Sequence, residues 1–322
     1  MNSNDEAPRT ENLHDVVIVG GGPAGLNAAL VLAQAQRKVL VIDAGEPRNA
    51  PAAHLHGFLT RDGLPPTELL HLGRAEVKEF GVEFLGGSVV SARRDGDAFV
   101  VESADGTQVR TPRLLVTTGL RDELPDIDGL AEQWGRGVAH CPFCHGYEVR
   151  GEPIGVVATS EMSVHQALMV RQWSEDVTFF VHTASEPTDE QLEVFEARGI
   201  AVVRGRVAGI DTTDDRLTGV RLEDGTVVPR GAVFVATRMV PRDGLLAELG
   251  VETQETPAGR FPAVDAMGAT SVTGVWAAGN VVDPHAQVIL SAAAGYRAAS
   301  AIVADVLAAD IAADLARLRA RR

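Results

Sequence analysis

VVIVGGGPAGLNAALVLAQAQRKVLVID, Val16 to Asp43, is the stretch that decides the fold. Val16 to Val19 is an apolar, β-branched run of the kind that forms a buried parallel strand. It leads directly into Gly20-Gly21-Gly22-Pro23-Ala24-Gly25, after which Leu26, Ala29, Leu30 and Ala33 recur at helical spacing. A second apolar run, Val39 to Ile42, closes on Asp43. The result is β-α-β with G-x-G-x-x-G at the first turn and an acid about twenty residues on, the context of a dinucleotide site. Each residue type has a physical reason. Gly20 permits the tight turn, Gly22 lets the backbone approach a pyrophosphate, and Gly25 lets helix and strand pack closely. Pro23 and Ala24 open the helix, whose free N–H groups and positive end favour phosphate, and Asp43 can accept both ribose hydroxyls. A tight turn with no ligand would not explain Asp43.

A second glycine-bearing segment lies far downstream, GVWAAGNVVDPHAQVILSAAAG, Gly274 to Gly295. An apolar strand, Val275 to Ala278, ends on Gly279-Asn280 and runs on towards a small-residue helix. The two ends of the chain are thus expected to build one site together, which suits a long ligand such as FAD. Close helix packing would equally account for the small residues Ser291 to Gly295.

The length of 322 residues suggests roughly two domains. The amino end is polar, with no signal-peptide pattern, and no apolar run approaches the ~18 to 20 residues of a membrane span. A cytoplasmic protein is expected. The net charge of -15 argues against nucleic acid as a partner, because phosphate contacts need clustered Lys and Arg.

His140 to Glu148 reads HCPFCHGYE and holds the chain's two cysteines, Cys141 and Cys144. Two cysteines cannot build a disulfide scaffold for a chain this long, so a lone C-x-x-C reads as redox or metal chemistry. Zinc would need two more ligands; His140 and His145 flank the pair too closely for one tetrahedral site, so no metal is expected. Thiol–disulfide exchange needs an acidified cysteine beside a proton acceptor. Pro142 suits the first turn of a helix, whose amino end lowers thiol pKa values.

VVIVGGGPAGLNAAL (16–30), LLVTTG (114–119), CPFC (141–144) and GVWAAGN (274–280) stand in the order and spacing of the low-molecular-weight thioredoxin reductases, which the chain resembles over nearly its whole length. The resemblance implies an α/β fold of two Rossmann-like, three-layer nucleotide-binding domains, the second inserted into the first. The FAD-binding domain would take residues 1–121 and 242–322, and the inserted domain, 122–241, would carry the C-x-x-C on a degenerate NADPH-type fold. There the strand Ile154 to Ala158, the helix Ser163 to Trp173 and the strand Val177 to Val181 are expected. The turn between the first strand and the helix departs from the family. Ala158-Thr159-Ser160-Glu161-Met162-Ser163 has no glycine, and Glu161 brings a carboxylate to where a pyrophosphate should lie. His182 to Glu186 replaces the arginine-rich segment that reads a 2'-phosphate.

CPFCHGYE, with PRN at 47–49 and HLHGFLTRDG at 54–63, resembles the dithiol oxidase branch that closes disulfides of the holomycin and gliotoxin type. It implies a small-molecule dithiol as substrate, FAD as cofactor, O2 reduced to H2O2, and a homodimer. Cys141 would be the outer, interchange sulfur and Cys144 the flavin-facing one. His145 is the first candidate base and His285 the second. Gly20, Gly22, Pro23, Ala24, Gly25, Asp43, Ala44, Arg48, Val89, Gly119, Gly279, Asn280, Gln287 and Val288 would hold FAD, the last two at the flavin pyrimidine edge. His54 and His56 would belong to the loop covering it. Two other readings stay open. A disulfide reductase fed by ferredoxin or another donor would equally lack a pyridine-nucleotide site, although an acidic ferredoxin would dock poorly on a chain of net charge -15. A non-catalytic flavin redox sensor would show an effector segment, and none is visible.

Overall fold

The computed structural model describes residues 14–322; the signal-peptide reading falls on residues 1–13, outside the described residues. The chain divides into two compact units. One comprises residues 14–48, 67–121 and 240–322, and the other residues 49–66 and 122–239. The segment 49–66 therefore departs from the expected 1–121 assignment, for a reason that lies in its side-chain contacts described below.

In the first unit five parallel strands lie in the order Val275–Ala277, Leu114–Val116, Val16–Val19, Val39–Asp43, Glu83–Gly86. The apolar runs are continuous because both faces of the sheet are covered. Val16, Ile18, Val39, Val41 and Leu115 face the helices Pro23–Gln34 and Val288–Ala320. Val17, Val19, Leu40, Ile42, Leu114 and Val116 face a second core with Phe99, Leu245 and Leu246. Full burial of each such side chain contributes about 1.5–3 kcal/mol. The two helices touch through small residues. A Cβ on Gly295 would lie 2.0 Å from the Ala24 carbonyl oxygen, and Asn27 Nδ2 donates to the Ala292 carbonyl at 2.8 Å. Beyond Val306 the long helix buries nothing, and Leu307, Ile311, Leu315 and Leu318 remain exposed.

In the second unit five parallel strands lie in the order Ile200–Val203, Val177–Phe180, Ile154–Val157, Ala232–Val235, Val138–Ala139. Helices Met162–Val170 and Asp189–Arg198 contribute to the core on one face. A three-stranded antiparallel sheet, Val207–Thr213, Arg216–Leu222 and Val227–Pro229, covers the other. The helix expected to reach Trp173 stops at Val170. The chain then turns, and the Trp173 ring packs against Gly146 and, at 5.9 Å between centroids, edge-on to Phe143. Among the described residues no helix is long and apolar enough to cross a membrane.

Candidate active site

The glycine turn of the first unit sits where its strand order reverses, between Val16–Val19 and Leu114–Val116, the place where open parallel sheets bind ligands. Gly20 adopts φ +108°, and a Cβ there would lie 2.4 Å from the Thr117 carbonyl oxygen. Thr117 Oγ1 donates towards both the Val19 and Gly20 carbonyls, at 3.1 and 2.7 Å, closing the turn. A Cβ on Gly25 would lie 1.9 Å from the Gly20 carbonyl oxygen, so helix and turn touch as expected. Gly22 differs: it is the N-cap of the helix, with Pro23 in the first turn, and a Cβ there would meet nothing within 4 Å. The turn is thus closed on its inner side and open at Gly22, where unpaired helix N–H groups gather, a cradle that fits a pyrophosphate. Asp43 accepts the Gly21 N–H at 2.8 Å and pairs with Arg74. Each carboxylate oxygen keeps a lone pair for a ribose hydroxyl.

Gly279 follows the strand Val275–Ala277, and its added Cβ would lie 3.0 Å from Ala24 Cβ, so both ends of the chain do meet at this turn. Asn280 Nδ2 donates to the carbonyls of Asp283 and Ala286, at 2.9 and 3.0 Å, and ties the loop ahead of the long helix. Its Oδ1 faces Arg48 Nη1 at 3.4 Å. Gln287 caps the helix that begins at Val288. The positive end of its dipole favours a negatively charged group there. Gly119 accepts the Arg242 N–H at 2.9 Å, Val89 pairs with Ser103 on a neighbouring antiparallel sheet, and Ala44 is exposed after Asp43. His285 is exposed on the loop that Asn280 ties, with its own N–H donated to Asp283.

The equivalent turn of the second unit is built differently. Thr159 and Ser160 N–H point at the fully buried Ser163 Oγ, at 3.2 and 3.4 Å, so the donors that would cradle a phosphate are already bonded within the turn. Beside it lies a cavity of about 230 Å³ lined by Ser160, Glu161, Phe179, Glu186, Thr188 and Gln191 among others. Two carboxylates face that space, and Arg204 is paired with Glu186 at 3.1 Å. His182, in place of a cationic residue, accepts the Val207 N–H at 3.0 Å.

The dithiol segment leaves the edge strand Val138–Ala139. Buried Gln166 donates to the His140 carbonyl at 2.7 Å and sets the path into Cys141. Cys141 is the N-cap of a helix of one turn, Pro142–His145, with Pro142 at its start. The Cys144 and His145 N–H groups donate to the Cys141 carbonyl at 3.1 and 3.2 Å. A single turn carries a weak dipole, so the helix end acidifies a thiol less than the motif alone suggests. Both cysteines are half-buried, and Phe143 between them is exposed. Burial holds the His145 imidazole below the usual histidine range, against the charge of Glu148, which acts to raise it. The Gly135 backbone approaches the ring, yet neither ring nitrogen makes a well-aligned hydrogen bond. The imidazole is thus held neutral, with both ring nitrogens buried, directly after Cys144 in the chain.

His54 and His56, expected over the FAD, lie with this segment. His54 Nδ1 bonds Glu148 Oε1 at 2.9 Å and His56 Nε2 bonds the same oxygen at 3.3 Å. These bonds join 49–66 to the second unit, a partnership between residues over ninety positions apart that no local pattern announces. Thr117, Arg74, Ser163 and Glu148 were not singled out from the sequence. Thr117, Ser163 and Glu148 do sit within segments that the sequence marks, LLVTTG, Ala158–Ser163 and CPFCHGYE, while Arg74 carries no signal.

Residues 14–299 match the pyridine nucleotide-disulphide oxidoreductases. Thioredoxin reductase sirT of Leptosphaeria maculans is 31% identical over 320 residues, 94% of this chain and 97% of that protein. The crystal structure of HlmI is 50% identical with TM-score 0.91, covering 97% of this chain and 98% of its own. An oxidoreductase from Agrobacterium tumefaciens is 37% identical with TM-score 0.86, covering 91% and 98%. A match of this extent, over two Rossmann-type units and a C-x-x-C turn, places the chain in the pyridine nucleotide-disulphide oxidoreductase family, as a thioredoxin reductase-like flavoprotein oxidoreductase.

Proposed function

We propose that this protein is an FAD-dependent dithiol oxidase that closes an intramolecular disulfide in a small, dithiolopyrrolone-like natural product. The observation that carries the reading is the turn at Ala158–Ser163. Its backbone donors are bonded to Ser163, and Glu161 and Glu186 face the adjoining cavity. A nucleotide pyrophosphate there would meet the Glu161 carboxylate and find the Thr159 and Ser160 N–H groups already bonded, whereas the glycine turn of the first unit keeps its open cradle. Electrons then enter from the substrate rather than from NADPH. The name thioredoxin reductase borne by sirT favours the reductase reading; fed by another donor it would need a docking protein, and the net charge of -15 disfavours an acidic one.

The chemistry on the chain is thiol–disulfide exchange. A substrate thiol gives its proton to His145, and the thiolate attacks Sγ of Cys141 in the oxidised pair, expelling Cys144 as thiolate. The second substrate thiol, deprotonated in turn, attacks the substrate sulfur of the mixed disulfide and releases Cys141. FAD, when bound, supplies two-electron acceptor chemistry, with O2 as terminal oxidant and H2O2 as product. His285 is the second candidate base. FAD would be held by Gly20, Gly22, Gly25, Asp43, Arg48, Gly279 and Asn280, with the start of the long helix at Gln287 and Val288 toward its pyrimidine edge. The exposed stripe Leu307, Ile311, Leu315 and Leu318 supports a homodimer, and a lone C-x-x-C without structural disulfides suits the cytoplasm.

The test is anaerobic mixing of the purified flavoprotein first with NADPH and then with a small dithiol, followed by flavin absorbance before air is readmitted. Bleaching only by the dithiol, with peroxide on reoxidation, is the expected result. Bleaching by NADPH would overturn the reading.

A further inference from the structure

We propose that Glu148 is a positioning residue of the dithiol site, clamping the His54–Asp62 loop onto the cysteine-bearing segment and supplying the negative charge that His145 needs when it takes a proton. The activity part of this inference rests on the function proposed above; the electrostatic part does not.

The loop is internally braced. Leu55 N–H donates to the Leu64 carbonyl at 2.9 Å and Gly63 N–H to the Leu55 carbonyl at 2.8 Å, closing its base. Asp62 Oδ1 accepts the Gly57 N–H at 2.8 Å, and Oδ2 lies 3.1 Å from His56 Nδ1. His56 Nε2 faces Glu148 Oε1 at 3.3 Å. Both ring nitrogens of His56 thus meet carboxylates, and a ring can donate from both only as imidazolium. Burial opposes that charge, but the hydrogen bonds and charges of Asp62 and Glu148 outweigh it and raise the His56 pKa.

From the other side, Glu148 belongs to the turn that continues past the cysteines, its N–H donating to the His145 carbonyl at 3.0 Å. Its carboxylate gathers His54 and His56 at one oxygen. Tyr147 meets His56 edge-on at 6.3 Å, and Arg150 stacks over the Tyr147 ring at 4.1 Å while donating to the Tyr147 carbonyl at 2.6 Å. The same loop region also reaches Gly135, where an added Cβ would lie 2.6 Å from Pro51 Cβ, and the Gly135 backbone approaches His145. Two carboxylates, Glu148 and Asp62, therefore face one imidazolium, His56, with His54 a donor, Arg150 on the Tyr147 ring, and Trp173 and Gly135 bringing no charge. A proton arriving on His145 adds a further positive charge beside those two negatives. A desolvated imidazolium needs such an anion, since burial alone disfavours the charged form.

The test is to titrate the His145 ring by NMR in the oxidised holoenzyme, without substrate, in wild type, Glu148→Gln and His56→Gln, with His145→Gln to assign the signal. Glu148→Gln keeps an acceptor but removes the charge, and the His145 midpoint should move to lower pH. His56→Gln removes a like charge and leaves Glu148 less neutralised, so the midpoint should move to higher pH. Opposite displacements are not produced by loosening of the loop. In turnover with a small dithiol, Glu148→Gln should lower kcat/KM at neutral pH about tenfold and carry the acid limb of the profile downward with the ring midpoint. Unmoved or same-direction midpoints in flavin-loaded variants overturn the proposal. If no dithiol is oxidised at all while the ring titrations move as expected, the proposed function fails and the electrostatic role of Glu148 stands.

Discussion

Replacing Gly25 and Gly22 separately by alanine should split stability from cofactor binding. The Cβ of Gly25→Ala would fall 1.9 Å from the Gly20 carbonyl oxygen and 2.8 Å from Thr117 Oγ1. Ordinary contact is about 3.5 Å, so helix and turn must separate by about 1.5 Å. Overpacking of this kind costs about 1–3 kcal/mol, and the displacement also strains the Thr117 bond to Gly20, worth about 1 kcal/mol. A loss of about 3–4 kcal/mol is therefore expected. Gly22 sits at φ −79° and ψ −172°, open to any residue, and its Cβ would meet nothing within 4 Å. The apoprotein of Gly22→Ala should match the parent or gain up to about 1 kcal/mol from a less flexible unfolded chain. Its new methyl group, however, occupies the cradle, and flavin affinity should fall at least about tenfold, a cost of about 1.4 kcal/mol. Urea unfolding of the apoproteins and flavin titration of each variant read the two effects separately. A Gly25→Ala protein as stable as the parent, or a Gly22→Ala protein with unchanged flavin affinity, would refute the reasoning.

Ser163→Ala should destabilise the second unit by about 1–3 kcal/mol, because Thr159 and Ser160 N–H lose their shared acceptor; urea unfolding measures it. Cys141→Ser should keep its flavin absorbance and lose dithiol oxidation, because a serine hydroxyl cannot form the mixed disulfide; retained turnover would point to another nucleophile. Two of the perturbed histidines, His145 and His56, should give stability opposite pH dependences. His145 resists a proton that the unfolded chain takes up at about pH 6.5, so it lowers stability as pH falls below that value, and His145→Gln should be relatively most stable near pH 5. His56 holds its proton more tightly when folded, so its contribution is complete below about pH 6.5 and is lost as pH rises through the folded value. Accordingly, His56→Gln should cost most at acid pH, as measured by unfolding at several pH values. Ile311→Glu combined with Leu315→Glu should convert a dimer to monomer in sedimentation without loss of bound flavin.

The first turn, the helix behind it and the strand ending on Asp43 were determined by contiguous sequence, because a parallel strand, a glycine turn and an apolar helix face each leave a local pattern. The same holds for the C-x-x-C with its following histidine, and for the loss of glycine at Ala158–Ser163. Tertiary structure alone decided the rest. Ser163 turns a merely glycine-free loop into one whose donors are occupied, Thr117 closes the Gly20 turn from a separate strand, and Asn280 ties down the loop before the long helix. The segment 49–66 joined the dithiol unit rather than its neighbours in sequence, through Glu148. Such bonds connect single polar side chains across long stretches of chain, and a hydrogen bond of this kind has neither period nor composition by which sequence could announce it.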